Sequence, residues 1–243
     1  MRLAPNLHLV GNGTVNSYLV AESGGVTVVD AGLPGMWKEL EAELASMGRS
    51  PADVRALVLT HGDTDHIGFA ARLHREHGVP VYVHSADAAR ARKETAKPNS
   101  GWGPVKIGPL LRFLAYSAMR GGLRIPPATG LVTLDGDASL DVPGSPRIIH
   151  LPGHTPGSVA IHVPAVGAVF VGDGMTTRSV LTGERGPRLA PFTLDPGQAL
   201  ASLDRLDGVD ATWVLPGHGE AWNGGLAAAL DEIRRAAALK PAA

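Results

Sequence analysis

Three times along this chain a run of apolar, largely β-branched residues stops and delivers a histidine. Leu57-Val58-Leu59-Thr60 leads into His61-Gly62-Asp63-Thr64-Asp65-His66. Ile148-Ile149-His150-Leu151-Pro152-Gly153 leads into His154, and Trp213-Val214-Leu215-Pro216-Gly217 leads into His218. A fourth run, Val169-Phe170-Val171-Gly172, delivers Asp173 in the same way. Such runs read as buried strands. Polar groups at the ends of neighbouring strands converge on one edge of a sheet, where a rigid scaffold fixes their geometry. Gly153 and Gly217, each just before its histidine, let the backbone approach closely and turn sharply.

The elements around these runs read as α/β. Strands are expected at 15–20 and 26–29, joined by a turn at Glu22-Ser23-Gly24-Gly25. A helix over 36–47 stops at Gly48. A strand at 54–59, a helix at 66–77 ended by Gly78, a strand at 79–83 and a helix at 86–96 follow. From Leu131 the chain turns to strands, at 131–134, 147–151, 158–163 and 168–172. A helix over 198–206, a strand at 212–215 and a helix over 226–239 close it. Each half has strands first and helices after, so two similar halves are expected to pack sheet on sheet with helices outside. Residues 1–243 are read as one domain.

The stretch 97–127 differs. It is rich in Gly and Pro and holds Trp102, Phe113, Tyr116 and Met119, with an amphipathic helix expected over 107–120. Such an excursion either closes over a site or packs an edge. Because Trp102, Phe113 and Tyr116 need a concave face to cover, the segment is expected to form part of a substrate pocket.

His61, Asp63, Asp65 and His66 offer two imidazoles and two carboxylates in one loop, more than one metal needs from one loop. With His154, Asp173 and His218 they make seven candidate ligands, too many for a closed four-coordinate zinc site and suited to two metals sharing a carboxylate. Asp63 or Asp65 alone would be read as a cap on the helix beginning near His66; four groups on strand ends are not explained that way. The 243 residues contain no cysteine, which excludes disulfides, thiolate ligands and a thiol nucleophile. Lys plus Arg number 22 against 23 Asp plus Glu, so there is no global basic field for nucleic acid. No run approaches the length of a membrane span, and residues 1–13 lack a signal-peptide core, so a cytoplasmic location is expected.

The signature His61-Gly62-Asp63-Thr64-Asp65-His66, followed by His154, Asp173 and His218, resembles that of the metallo-β-lactamase superfamily, His-x-His-x-Asp-His with a later His, Asp and His. Asn16-Ser17-Tyr18-Leu19 and Val28-Val29-Asp30-Ala31-Gly32 extend the resemblance toward the start. It implies a four-layer αβ/βα sandwich of two mixed sheets with helices outside and the site at one edge. It also implies that His61, Asp63 and His154 hold a first divalent metal, that Asp65, His66 and His218 hold a second, and that Asp173 bridges. Asp30 is then the acid that orients a ligand histidine. The departure is Asp63, where the family usually has His. Two divalent ions carry four positive charges; Asp63, Asp65, Asp173 and a bridging hydroxide carry four negative ones. The cluster becomes formally neutral, which acidifies bound water less. Zinc is the expected metal, with iron or manganese favoured more than usual by the extra carboxylate, and the shorter Asp is expected to hold the first metal less firmly.

The implied chemistry is hydrolysis: a metal-bridged hydroxide attacks a carbonyl, and Asp65 orients it and passes its proton to the leaving group. Two subclasses of true β-lactamases place Cys where Asp173 stands. Family lactonases acting on acyl-homoserine lactones carry Tyr where this chain has Thr176. Nucleases of the superfamily bring basic surface, and glutathione-thioester hydrolases a helical C-terminal domain, whereas this chain ends soon after His218. What remains is a small-molecule ester, lactone or thioester. The competing reading is a non-haem diiron redox enzyme: flavin-linked diiron members place Glu where Asp63 stands, and without their flavodoxin-like domain a separate reductase would be needed. Arg178, Arg185 and Arg188, in a Gly-rich loop, are candidates to clamp an anionic substrate. His84 ends a strand on the side of the site and is a candidate to support it or to touch substrate. His74 and His77 are read as solvent-facing, while His8, His150 and His162 are read as structural. A homo-oligomer is left open.

Overall fold

The structure, a computed structural model, describes residues 1–95, 101 and 103–238; Trp102 lies outside them. The first sheet opens as an antiparallel meander of β1 (Arg2–Ala4), β2 (Leu7–Gly11), β3 (Asn16–Glu22) and β4 (Gly25–Val29). Helices then return the chain, so the next strands add in parallel. Helix α1 (Trp37–Ser46) precedes β5 (Val54–Val58), and α2 (Ala70–His77) precedes β6 (Val81–His84). Two helices, α3 (Ser85–Ala91) and α4 (Ile107–Met119), precede β7 (Leu131–Leu134). The 7 strands lie in chain order.

The second sheet contains β8 (Ala138–Ser139), β9 (Arg147–His150), β10 (Val159–Val163) and β11 (Ala168–Gly172), all antiparallel. A separate hairpin of β12 (Thr176–Arg178) and β13 (Arg185–Arg188) follows, then α5 (Pro196–Ser202). Strand β14 (Trp213–Pro216) docks parallel to β11, and α6 (Leu226–Ala238) ends the described chain.

Successive strand residues point to opposite faces, and here both faces are buried. Leu19, Val28 and Leu57 face α1 and α2, packing with Leu40, Leu44, Phe69 and Leu73. Their neighbours Val20, Val29 and Val58 face the other sheet, packing with Ile161, Phe170 and Leu215. Beyond that sheet, Val169, Val171 and Val214 meet Leu203, Leu226, Leu230 and Ile233 of the outer helices. Three apolar seams between four layers give the expected αβ/βα sandwich.

The differences from expectation are local. Helix α2 begins at Ala70, not His66. Thr64–His66 form a single tight turn, and backbone bonds from Ala31 N to His66 O (2.6 Å) and from Gly68 N to Gly32 O (2.8 Å) hold the chain out of helix until it has passed β4. Helix α3 ends at Ala91, earlier than the expected helix. The presumed loop of Arg178, Arg185 and Arg188 is the β12–β13 hairpin. His77 is exposed, as expected, but His74 is half-buried and its Nδ1–H donates to Val79 O at 3.0 Å, closing the α2 terminus.

Asn16 joins the two halves. It is fully buried; its Nδ2 donates to Pro216 O (3.0 Å) and Gly219 O (2.9 Å), and its Oδ1 accepts from Gly13 N (2.9 Å). Tyr18 Oη donates to the same Pro216 carbonyl at 2.7 Å. The start of the first sheet thereby fixes the backbone on either side of His218. Asn16→Ala strands these buried groups, at a cost of roughly 2–3 kcal/mol. For a chain of this size thermal melting should show a fall in Tm of roughly 5–10 °C; a shift below about 2 °C would mean that water replaces the side chain at no cost.

Candidate metal centre

The parallel pairs put their C-terminal ends on one rim, and the seven expected ligands meet there. Atoms of His61, Asp63 and His154 lie within 4.8 Å of one another, as do those of Asp65, His66 and His218. Asp173 stands between the sets: its Oδ1 is 3.6 Å from His66 Nε2, and its Oδ2 is 3.7 Å from His154 Nε2 and 3.4 Å from His218 Nε2. All are buried except Asp65, which is half-buried at the rim.

Gly217 allows this convergence. A Cβ there would come within 2.4 Å of His66 Cε1 and 2.5 Å of Asp173 Oδ1. Gly153 plays the corresponding part for His154, with φ at 136° and its Cα side pressed on the Ala199 backbone.

Each of the four imidazoles is tied at Nδ1. His66 Nδ1 meets Asp30 Oδ2 at 2.8 Å, and His218 Nδ1 meets the Thr14 carbonyl at 2.6 Å. His61 Nδ1 meets Thr60 Oγ1 at 3.0 Å, and His154 Nδ1 meets Thr193 Oγ1 at 3.3 Å. Carboxylate and carbonyl oxygens only accept, so those two imidazoles carry their proton on Nδ1. The threonine hydroxyls donate elsewhere, to Asp30 Oδ2 (2.8 Å) and Ala190 O (2.7 Å), so they too accept from the ring. Every Nε2 is thereby turned inward as a donor to a cation. Nε2 of His61, His66 and His154 and Oδ1 of Asp173 are buried without a hydrogen-bond partner. Orphaned buried polar atoms are costly; a divalent ion in each set would satisfy them.

The electrostatics agree. Burial disfavours ionising Asp65 and Asp173, yet His218 and the neighbouring imidazoles outweigh it and hold both below the usual carboxylate range. Burial also opposes a charge on His66, but Asp30, Asp173 and Asp65 push it up to about 9. In the same surroundings His61, buried and facing His66 and His154, is driven well below its ordinary value. The pocket attracts positive charge and holds it at defined points.

Asp30 takes the orienting position that the sequence suggests. Its φ of 58°, in the left-handed region that Asp tolerates, turns the carboxylate back across the sheet; Oδ1 also accepts from Thr60 N at 2.7 Å. His84 sits elsewhere. Its Nδ1 faces Ala86 N (3.3 Å), capping α3, its Nε2 faces Gly136 N (3.2 Å), and its ring stacks on His150 with centroids 4.1 Å apart. It therefore positions a helix rather than a ligand.

That helix carries two residues without a motif of their own. Asp87, fully buried, accepts from Gly62 N (2.7 Å) and Thr155 Oγ1 (2.8 Å) through Oδ2 and from Gly157 N (2.8 Å) through Oδ1. It clamps the His61–His66 loop to the His154 loop. One turn on, Arg90 Nε donates to Asp63 Oδ1 in a short, largely buried ion pair, while Asp63 Oδ2 faces His154 Nε2 at 3.4 Å. The Asp63–Arg90 pair carries no net charge, as a neutral imidazole does. With two divalent ions and a bridging hydroxide bound, the formal charge would thus be one positive, where the ligand residues alone give a neutral cluster.

The 209 residues from Val10 to His218 match the family model of the metallo-beta-lactamase superfamily. The chain belongs to that superfamily. Rv2581c of Mycobacterium tuberculosis is 35% identical over 216 residues, covering 84% of this chain and 85% of that protein. The probable metallo-hydrolase YflN of Bacillus subtilis is 29% identical, covering 83% and 78%. The solved structure of TTHA1623, in a di-iron-bound form, is 30% identical with a TM-score of 0.60, covering 91% of this chain and 96% of that one. In this superfamily member Thr176 is buried, its hydroxyl donating to the His218 carbonyl at 2.6 Å; it braces a ligand backbone.

A cleft of about 320 Å³ opens beside the centre, lined by Thr14, Phe113 and Arg178 among others. The Phe113 ring stands edge-on to His218 at 5.9 Å. Tyr116 continues the same stripe of α4 but is carried a turn past the cleft; it packs on the first core under the Arg120 guanidinium, 5.0 Å from its ring centroid. Of the expected pair Phe113 and Tyr116, Phe113 lines the cleft and Tyr116 does not.

If Arg90 is needed to hold Asp63 in its ligating direction, the misplaced carboxylate of Arg90→Met should lose more affinity than the removed positive charge returns, emptying the first set and leaving the second. Adding Asp63→His should refill it. Elemental analysis after saturation and gel filtration is expected to give about two, one and two ions per subunit for wild type, single and double variant. Unchanged content in Arg90→Met would assign Arg90 to packing alone.

Proposed function

We propose that this protein is a metal-dependent hydrolase that cleaves a small-molecule ester, lactone or thioester at a centre of two divalent ions. The observation that carries this reading is the set of four imidazoles locked at Nδ1 with Nε2 turned toward buried carboxylates. His61, Asp63 and His154 are assigned to one ion, Asp65, His66 and His218 to the other, and Asp173 to both. When bound, such ions supply Lewis acidity and lower the pKa of water.

The protein's own groups do the rest. Asp65, half-buried at the rim and 3.3 Å from His218 Nε2, is ionised and placed to accept a proton and return it to the leaving group. Phe113 supplies an apolar wall next to His218. The cleft volume suits a small molecule, and Arg178 lies in its lining. The segment 97–127 contributes Gly108, Pro109, Arg112 and Phe113 to it, which supports a pocket-forming role; Trp102, expected to share that role, is outside the described residues. Among the described residues no helix is long and apolar enough to cross a membrane.

Imidazole and carboxylate donors fit zinc, with iron or manganese also accommodated. A second reading, a non-haem diiron redox enzyme served by a separate reductase, is favoured by one observation: TTHA1623 was solved with two irons. Metal analysis of freshly purified protein separates the two. Zinc with turnover of an ester, lactone and thioester panel supports hydrolysis; iron with oxygen consumption and no turnover of the panel supports redox. His61→Ala combined with His66→Ala should abolish metal content and hydrolysis together, and retained hydrolysis in the metal-free variant would refute the mechanism. Chelation should also lower Tm by roughly 10–20 °C if both ions bind the folded state alone, each at a hundredfold excess over Kd.

A further inference from the structure

The cleft beside His218 has a charge character that the metal centre does not require. Three of its lining side chains are arginines, Arg112, Arg178 and Arg185, and none is a carboxylate. In a chain of net charge -1 this is a local concentration of cations. Glu220 reaches two of them: its Oε1 accepts from Arg178 Nη1 at 3.0 Å and from Arg185 Nη1 at 2.9 Å. Arg178 is further fixed by donating from Nη2 to Gly13 O at 2.7 Å. Arg112 is exposed on α4 and makes no ion pair among the described residues. One carboxylate against three guanidinium groups leaves a surplus of two positive charges at a concave surface, where field lines concentrate.

Two further features share the cleft. Gly108 and Pro109, in the first turn of α4, also line it, so the positive end of a 13-residue helix faces the same space. The remaining wall is apolar, with Phe113 and Val180. The cleft adjoins the metal centre: two of its lining residues touch His218, Thr14 through its carbonyl and Phe113 through its ring. A molecule with its carbonyl at the ligand cluster therefore extends along an apolar wall toward the guanidinium groups.

We propose that this cleft seats an anionic group of the substrate, so that the ester, thioester or lactone carries a carboxylate or phosphate-type oxyanion separated from its scissile carbonyl by an apolar link. The inference rests on the hydrolase reading above and adds the substrate class to it. Guanidinium suits both anions, since its planar fork pairs with either in two parallel hydrogen bonds. Arg112, with no ion pair among the described residues, is the group with most to offer an incoming anion, whereas Arg178 is pinned and serves as a fixed charge.

The test uses full-length, metal-loaded protein and three matched thioesters: of glutarate with a free carboxylate, of its phosphonate analogue, and of its neutral methyl ester. The read-out is kcat/KM for each anionic substrate divided by that for the neutral one. Wild type is expected to favour at least one anionic substrate by about tenfold or more, and Arg112→Gln to lower that ratio about tenfold. Arg235→Gln, an equal charge change on exposed α6, should leave the ratio in place. Calorimetric titration with free glutarate and with the free phosphonate supplies a read-out independent of turnover. Saturable binding is expected, weakened about tenfold by Arg112→Gln; which anion binds more tightly identifies the oxyanion. Equal rates on anionic and neutral substrates, or anion binding indifferent to Arg112, would overturn the proposal while leaving the hydrolase reading intact. Arg112-dependent anion binding with no turnover of any thioester, lactone or ester would uphold the anion site and remove the hydrolase reading.

Discussion

Four carboxylates, Asp30, Asp63, Asp65 and Asp173, are packed among four imidazoles where the ends of two sheets meet. Removing ionised carboxylates from water costs several kcal/mol each unless cations and hydrogen bonds replace the solvent. Arg90 meets one of them, the Nδ1–H of His66 another, and the inward Nε2 atoms are left to share cations with the rest. The rim can therefore exist as built only around positive charge. This explains why the residues that approach it most closely are so restricted: at Gly217 even a methyl group would collide with His66 and Asp173.

The ligands are presented by loops, but the loops are held by the sheets. Asp30 leaves β4 in the left-handed conformation and grips Thr60 and His66 beyond β5, while Asp87 on α3 grips the loops of His61 and His154. Asn16 and Tyr18 on β3 hold Pro216, next to the turn that delivers His218. The bonds of Asp30 stay within the first half, whereas those of Asp87 to the His154 loop and of Asn16 and Tyr18 to Pro216 cross to the second. Loosening one sheet against the other would thus alter several ligand directions together, which ties the accuracy of the centre to the apolar seam of Val20, Val29, Phe170 and Leu215.

Much of this was legible in the sequence because ligand and strand are contiguous. Leu57-Val58-Leu59 predicts a strand and the next residues supply the donors, so a linear reading finds His61, His66, His154, Asp173 and His218 without knowing how the halves pack. The supports of those ligands are not contiguous with them. Thr14 holds a ring 204 residues away and Thr193 one 39 residues away, and a lone Thr in a loop carries no signal. Asp87 and Arg90 fall within an expected helix and carry no motif of their own. A hint was available in their spacing of three, which places both on one side of α3. The late start of α2 was invisible for a similar reason: residues 64–69 have helical neighbours in sequence, but Ala31 and Gly32 compete for their backbone groups.

The two helices between β6 and β7 divide the labour of the site. Helix α3 is pressed against the ligand loops, where Asp87 is satisfied by backbone and hydroxyl donors and Arg90 is paired with Asp63. Helix α4 has no fully buried residue, and Ile107, Leu111 and Met119 are 76%, 59% and 84% exposed. It nevertheless supplies Phe113 and Arg112 to the cleft. Local stability follows buried contacts, so the metal side of the site is the rigid side and the substrate side is the one able to adjust. The Asp63–Arg90 pair belongs to the rigid side: because a carboxylate and a guanidinium together reproduce the charge of a neutral imidazole, the proposed hydrolase would depart from the usual ligand at that position without altering the charge of its centre. In the proposed hydrolase, selectivity then falls to the cleft side, where Arg112 and Phe113 of α4 face the same opening as Arg178 and Arg185.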